Sequence, residues 1–173
     1  MANESTGMSD NIFKSVGKNI SSEAPFLNGH FHIEHVRNGV VIDTRDFPNM
    51  ICDEGKAELA KLMLTDVGGT AFDYVAIGNS DVTPVAHTDI ILNNETHRVT
   101  GVGTVIGTTY AGDTAQLVAT FSFTSAYAIK ESGVFNAAAH PDAMMCHQIF
   151  AAINVDNGDS LIVTWRVQIT AAI

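Results

Sequence analysis

Residues 160–170, SLIVTWRVQIT, alternate apolar and polar side chains along their whole length. Leu161, Val163, Trp165, Val167 and Ile169 share one face, and Ile162, Thr164, Arg166, Gln168 and Thr170 share the other. Successive side chains of a strand point to opposite faces, so the pattern predicts a ribbon with one buried side. The same period recurs in residues 114–124, where Leu117, Ala119, Phe121 and Phe123 fall inward. Further strands are predicted at 30–37, 40–46, 72–78, 96–110, 128–136 and 144–155. Asn38-Gly39, between the first two, is a type I′ hairpin signal, and Pro48 ends their pairing because it has no N–H for the ladder. Gly101, Gly103 and Gly107 within 96–110 predict bulges or the close approach of another backbone.

Residues 53–64 carry a helical pattern instead. Asp53 and Glu54 place negative charge where the exposed N–H groups and the macrodipole favour it, and Gly68-Gly69 follows as a terminator. The expected buried face is Ala57, Ala60 and Leu64, widened by Leu59, Leu62 and Met63. Roughly eight strands and one helix predict a mainly β chain, an antiparallel β-sandwich of jelly-roll-like plan. Residues 28–173 form this single domain.

Residues 1–27 do not share the pattern. They are rich in Ser, Asn and Gly, with Ile12, Phe13, Val16, Ile20 and Phe26 scattered among them, and they cannot make a core of their own. One reading is a disordered tail. The other is an extended N-terminal arm that orders on a neighbouring subunit, anchored by Ile12, Phe13, Val16 and Phe26, with the hairpin tip Arg37-Asn38-Gly39 as a further contact.

Composition narrows the partners. The chain has 173 residues, 46% of them hydrophobic and 16% charged, which suits one domain that covers part of its surface with other subunits. Its net charge is −10 and its basic residues form no run, which argues against nucleic acid. No apolar run approaches the ~20 residues of a membrane-spanning helix, and the polar, acidic start MANESTGMSD does not read as a signal peptide. Cys52 and Cys146 make neither a disulfide framework nor a zinc spacing, and are expected as small buried residues.

Candidate chemistry is sparse. HFHIEH places His30 and His32 on one strand face with Glu34 beside them, an imidazole-imidazole-carboxylate set that invites a cupin-like metal site. The cupin pattern wants its Glu some residues later, where Val36 and Arg37 stand. A metal shared at a three-fold axis, with exposed edge residues as the plain alternative, remains open. There is no G-x-S-x-G elbow and no phosphate-binding loop, and Cys146 and His147 must point to opposite faces. Glu95 and Glu131 look buried, and structural ion pairs with Arg98 or Arg166 are expected. No catalytic residue, cofactor or metal is assigned.

The order of FPNMICDEGKAELAKLML, YVAIGNS, LNNETHR, IKESGVFNAA and GDSLIVTWRVQI resembles the N-terminal domain of phage tail-collar fibre proteins. Asn49, Gly55, Ala60, Gly78, Leu92, Glu95, Arg98, Glu131, Gly133 and Phe135 stand at the positions of that pattern, with Cys52 in place of its Thr. The resemblance implies a non-catalytic structural protein of a tailed-bacteriophage virion. A collar fibre continues into a trimeric shaft, whereas this sequence stops at Ile173. That favours a capsid decoration (cement) protein, a homotrimer made in the bacterial cytoplasm that binds neighbouring subunits through its arm. Its other partners would be major capsid or tail proteins. A tail, baseplate or fibre-attachment subunit is the alternative. A carbohydrate-binding module is the reading after that, weakened by aromatics that lie within strands or at their ends.

Overall fold

The computed structural model describes residues 25–65 and 67–171. In chain order the elements are β1 (Pro25–Arg37), β2 (Val40–Pro48), β3 (Met50–Ile51), α1 (Asp53–Leu62), β4 (Tyr74–Gly78) and β5 (Glu95–Thr100). They continue with β6 (Val102–Ile106), β7 (Thr114–Ser122), β8 (Tyr127–Phe135), β9 (Met144–Val155) and β10 (Ser160–Ala171). Two 5-stranded antiparallel sheets result, one ordered β2-β1-β10-β7-β6 and the other β3-β9-β8-β4-β5. The chain lays down hairpins alternately in the two sheets: β1–β2, then β4–β5, then β6–β7, then β8–β9. The final strand β10 returns to the first sheet and slots between β1 and β7. The result is a mainly β antiparallel sandwich with one helix among the described residues.

The alternating strands bury the faces their sequence implies. Leu117, Ala119, Phe121 and Phe123 of β7 and Leu161, Val163 and Trp165 of β10 are all in the core. Trp165 packs its ring against Phe31 of β1, with centroids 4.7 Å apart. Its indole N–H crosses the sandwich to donate to Ser132 Oγ of β8 at 3.3 Å. One large side chain thus fills the core and meets its polar requirement in the opposite sheet.

Four local features differ from the sequence expectation. The predicted strand 96–110 is two strands in different sheets. It divides at Gly101, whose N–H donates to Asp73 O at 2.8 Å. A Cβ there would lie 2.7 Å from Leu117 Cγ, so the crossing needs glycine. The second difference is the buried side of α1, which is Gly55 and Glu58, with Leu59 partly buried, while Ala57, Ala60, Leu62, Met63 and Leu64 are exposed. The helix lies against β9 on its glycine side: Cys52 N–H donates to Met145 O at 2.9 Å.

The third difference is the start of β1 at Pro25. The end of the predicted arm is therefore strand, with Pro25 opposite Ala171 and Leu27 opposite Ile169. Of the expected arm anchors, Ile12, Phe13 and Val16 lie outside the described residues, and Phe26 is described as backbone opposite Thr170.

The fourth is a register shift in β8 between Ile129 and Glu131. A bulge of this kind reverses which residues face in. Ile129 and Val134 belong to the main core, whereas Phe135 faces out into a second cluster with Cys52, Ala76, Leu92 and Met144. The second sheet is therefore covered on both faces, by the first sheet inside and by the 79–94 loop outside, with α1 set against the start of β9. This explains why the short β4 reads as a continuous apolar run.

Candidate functional site

The polar side chains singled out in the sequence mostly brace the fold. Glu131 is fully buried, and its carboxylate accepts the backbone N–H groups of Ser80 (3.3 Å), Asn93 (3.0 Å) and Asn94 (2.8 Å). His147 Nε2 stands 3.4 Å from the same carboxylate, and His147 Nδ1 is 2.8 Å from Asp89. Burial alone would raise the Glu131 pKa, but His147 and these three amides together hold it below the usual range. Glu131 therefore pairs with neither Arg98 nor Arg166. The bulge turned it away from the core face and toward the 79–94 loop, whose two ends it clamps.

Arg98 does form an ion pair with Glu95, through two N–H groups at 2.9 and 2.7 Å. It also donates to Ala137 O at 2.8 Å and to Asp142, and its guanidinium lies 3.8 Å over the Phe135 ring. Burial works against its charge, yet the two carboxylates raise its pKa above the ordinary value. Arg166 lies on the outer face of the first sheet and donates to Gln116 Oε1 at 2.8 Å. The pattern residues Gly78, Leu92, Glu95, Arg98, Glu131, Gly133 and Phe135 are thus one packing unit. They tie β4, β5, β8 and the loop together.

The hairpin tip is a tight turn with Asn38 at φ 52° and Gly39 at φ 76°, the geometry its sequence predicts. Arg37 bonds Asp159 at 2.8 and 2.6 Å and Asp156 at 3.1 Å, so it fastens β1 to the β9–β10 turn. The inward His35 joins the same carboxylate at 2.8 Å. Arg37 above all holds Asp159 well below the usual carboxylate range, helped by the Asp156 amide and His35.

His30 and His32 sit on the outer face with Asp46 of β2 beside them: His32 Nδ1 is 2.9 Å and His30 Nε2 3.4 Å from Asp46 Oδ1. Among the described residues no group of three or more His, Cys, Asp or Glu side chains is arranged to hold a metal ion. Cys52 and Cys146 are buried and unpaired, and burial pushes the Cys52 thiol up to about 12.

The feature not foreseen from sequence is an apolar groove of about 640 Å³ at the end of the sandwich where β1 begins and β10 finishes. Leu117, Val134, Met145 and Trp165 form its floor. Leu59 and Leu62 of α1 with Phe72 make one wall, and Leu27, Val105, Val167 and Ile169 the other. The apolar face of β10 thus runs past the core and into the open, where Ile169 is 53% exposed. Val105 and Leu62 are also exposed, and Met63, Leu64 and Val67 extend apolar surface beyond the helix.

Asp113 secures the rim. It accepts the amides of Thr108, Thr109 and Tyr110 and the side-chain amide of Gln168 at 2.8–3.0 Å. Burial opposes its ionisation, but this ring of donors drives its pKa far below the usual range. The groove is built for apolar contact, with a carboxylate at its edge.

The missed signal was present in β10: an apolar period that continues to Ile169 while the core it serves ends near Trp165. No protein family, no curated protein and no solved structure matches this chain.

Proposed function

We propose that this chain is a non-catalytic structural subunit of a tailed-bacteriophage virion, a capsid decoration protein that associates with neighbouring subunits through its N-terminal segment. The observation that carries this reading is the groove. Its polar residues serve the fold, and the surface left to act on a partner is apolar, lying where the segment carrying Ile12, Phe13 and Val16 leaves the sandwich. Exposed apolar patches of this kind mark association surfaces. The braced unit of Glu95, Arg98, Glu131 and Phe135 adds a physical reason for the residue order that resembles collar-fibre domains. Many copies on a shell would multiply a modest individual affinity by effective concentration.

The test is to tag the chain in its phage, purify particles on a density gradient, and locate the tag by electron microscopy. Many copies over the head are expected. A chain left entirely in the soluble fraction overturns the virion reading, and label confined to the tail replaces decoration with a tail or baseplate role.

A further inference from the structure

The groove lies beside the point where the described chain begins. Leu27 is part of its wall, and residues 1–24 precede it directly. In that stretch the apolar residues Ile12, Phe13, Val16 and Ile20 recur with the helical period, so a helix would present all of them along one stripe. An apolar cavity of about 150 Å³ accommodates a benzene ring, so a groove of about 640 Å³ has room for roughly four such groups. That is the number of apolar side chains the segment offers.

Charge agrees with size. Residues 11–20 contain Lys14 and Lys18 and no acid, within a chain of net charge −10. Asp73 and Asp113 belong to the groove lining. The connection is also short. Ile20 is seven positions before Leu27, a span of at most about 25 Å, and residues 21–24 suffice for a reversal. A tether of this length gives the segment a millimolar-scale effective concentration at its own groove.

We infer that residues 12–20 dock in the groove of their own chain, with Ile12, Phe13, Val16 and Ile20 on the apolar floor and Lys14 and Lys18 toward the carboxylates of the rim. The free subunit so covers its own association surface. Assembly then exchanges the segment between copies, and each groove releases its own segment for an identical one from a neighbour. The docking itself concerns the isolated chain and stands independently of any virion role.

The experiment places a photoreactive side chain in the full chain, Phe13→p-benzoylphenylalanine, which leaves every described residue untouched. Irradiation in dilute solution is followed by sizing and peptide mapping. The expected product has the mass of one chain and carries its adduct at Leu27, Val134, Met145 or Cys146, or in residues 59–72, 103–117 or 165–169. Adding Val105→Asp lowers the yield roughly tenfold, the scale of losing one buried Val contact. Leu62→Ser is a second, independent wall variant and has the same effect. Adducts elsewhere, a product of twice the mass, or no adduct would each overturn the inference. None of these outcomes bears on whether the chain travels with particles, so the two readings fail separately.

Discussion

The outer face of the second sheet and the groove beside its inner face solve the problem of a partly covered β-sheet in opposite ways. Around Glu131 and Arg98, the outer face of the second sheet is roofed by the 79–94 loop, and the Glu131 and Arg98 charges each have several partners. At the far end of β10, apolar side chains run past the core into a groove that the described residues leave open. Buried charge held by several bonds fixes one arrangement, because losing any bond strands a charge. Apolar surface is non-directional and accepts any complementary shape. The braced face is therefore suited to holding the fold and the open groove to exchanging partners.

Acid breaks the carboxylate braces, on the second sheet and at the groove rim alike. Glu131, Asp159, Asp113 and Glu58 all have pKa values lowered in the folded chain. Unfolded carboxylates titrate near about 4. The folded state therefore binds fewer protons through this window, and the stabilisation is fully present above about pH 4.5. It is lost as pH falls through the lower folded values. Cooperative unfolding between about pH 4 and 2 is expected by circular dichroism, with Asp113 adding the groove rim to that transition. Stability independent of pH down to 2 would mean that the carboxylates do not brace the fold.

Glu131→Ala isolates one carboxylate. It leaves three loop amides without their acceptor and His147 without one of its two carboxylates. A loss of about 3–5 kcal/mol is expected in urea unfolding. Glu131→Gln keeps the shape and recovers part of the loss. A cost below about 1 kcal/mol would show that the loop stands without the clamp.

The legible parts of this molecule were those where one period served one purpose. β7 and β10 alternate and bury the expected side chains, and Asn38-Gly39 turns as its sequence requires. Glu95 and Arg98, close in sequence, pair as expected. What was hidden depended on contacts distant in sequence. The bulge beside Lys130 turns Glu131 outward, and no local pattern marks it. The break at Gly101 depends on Leu117 of β7 occupying the space a side chain would need. The apolar face of α1 pointed the wrong way because Gly55 and Glu58, poor markers of burial, meet β9 and the chain after the helix. The groove was hidden for a different reason: its apolar residues read individually as core.

The smallest effect separates a groove that merely remains open from one that takes the chain's own segment. Val105 is 71% exposed, so Val105→Asp by itself should change the unfolding free energy by no more than about 0.5 kcal/mol if nothing docks there. Phe13→Asp, outside the described residues, should be equally neutral on the same supposition. Docking makes the two changes interact. Each alone then removes the segment's contribution, and the second adds nothing further. A double-mutant cycle read by urea unfolding should give a coupling of about 1.5 kcal/mol, with both single variants destabilised and the double variant no worse than either. Additive effects would leave the groove without its segment and keep the comparison at a braced face and an open groove. Coupling would turn it into a permanent closure and an exchangeable one.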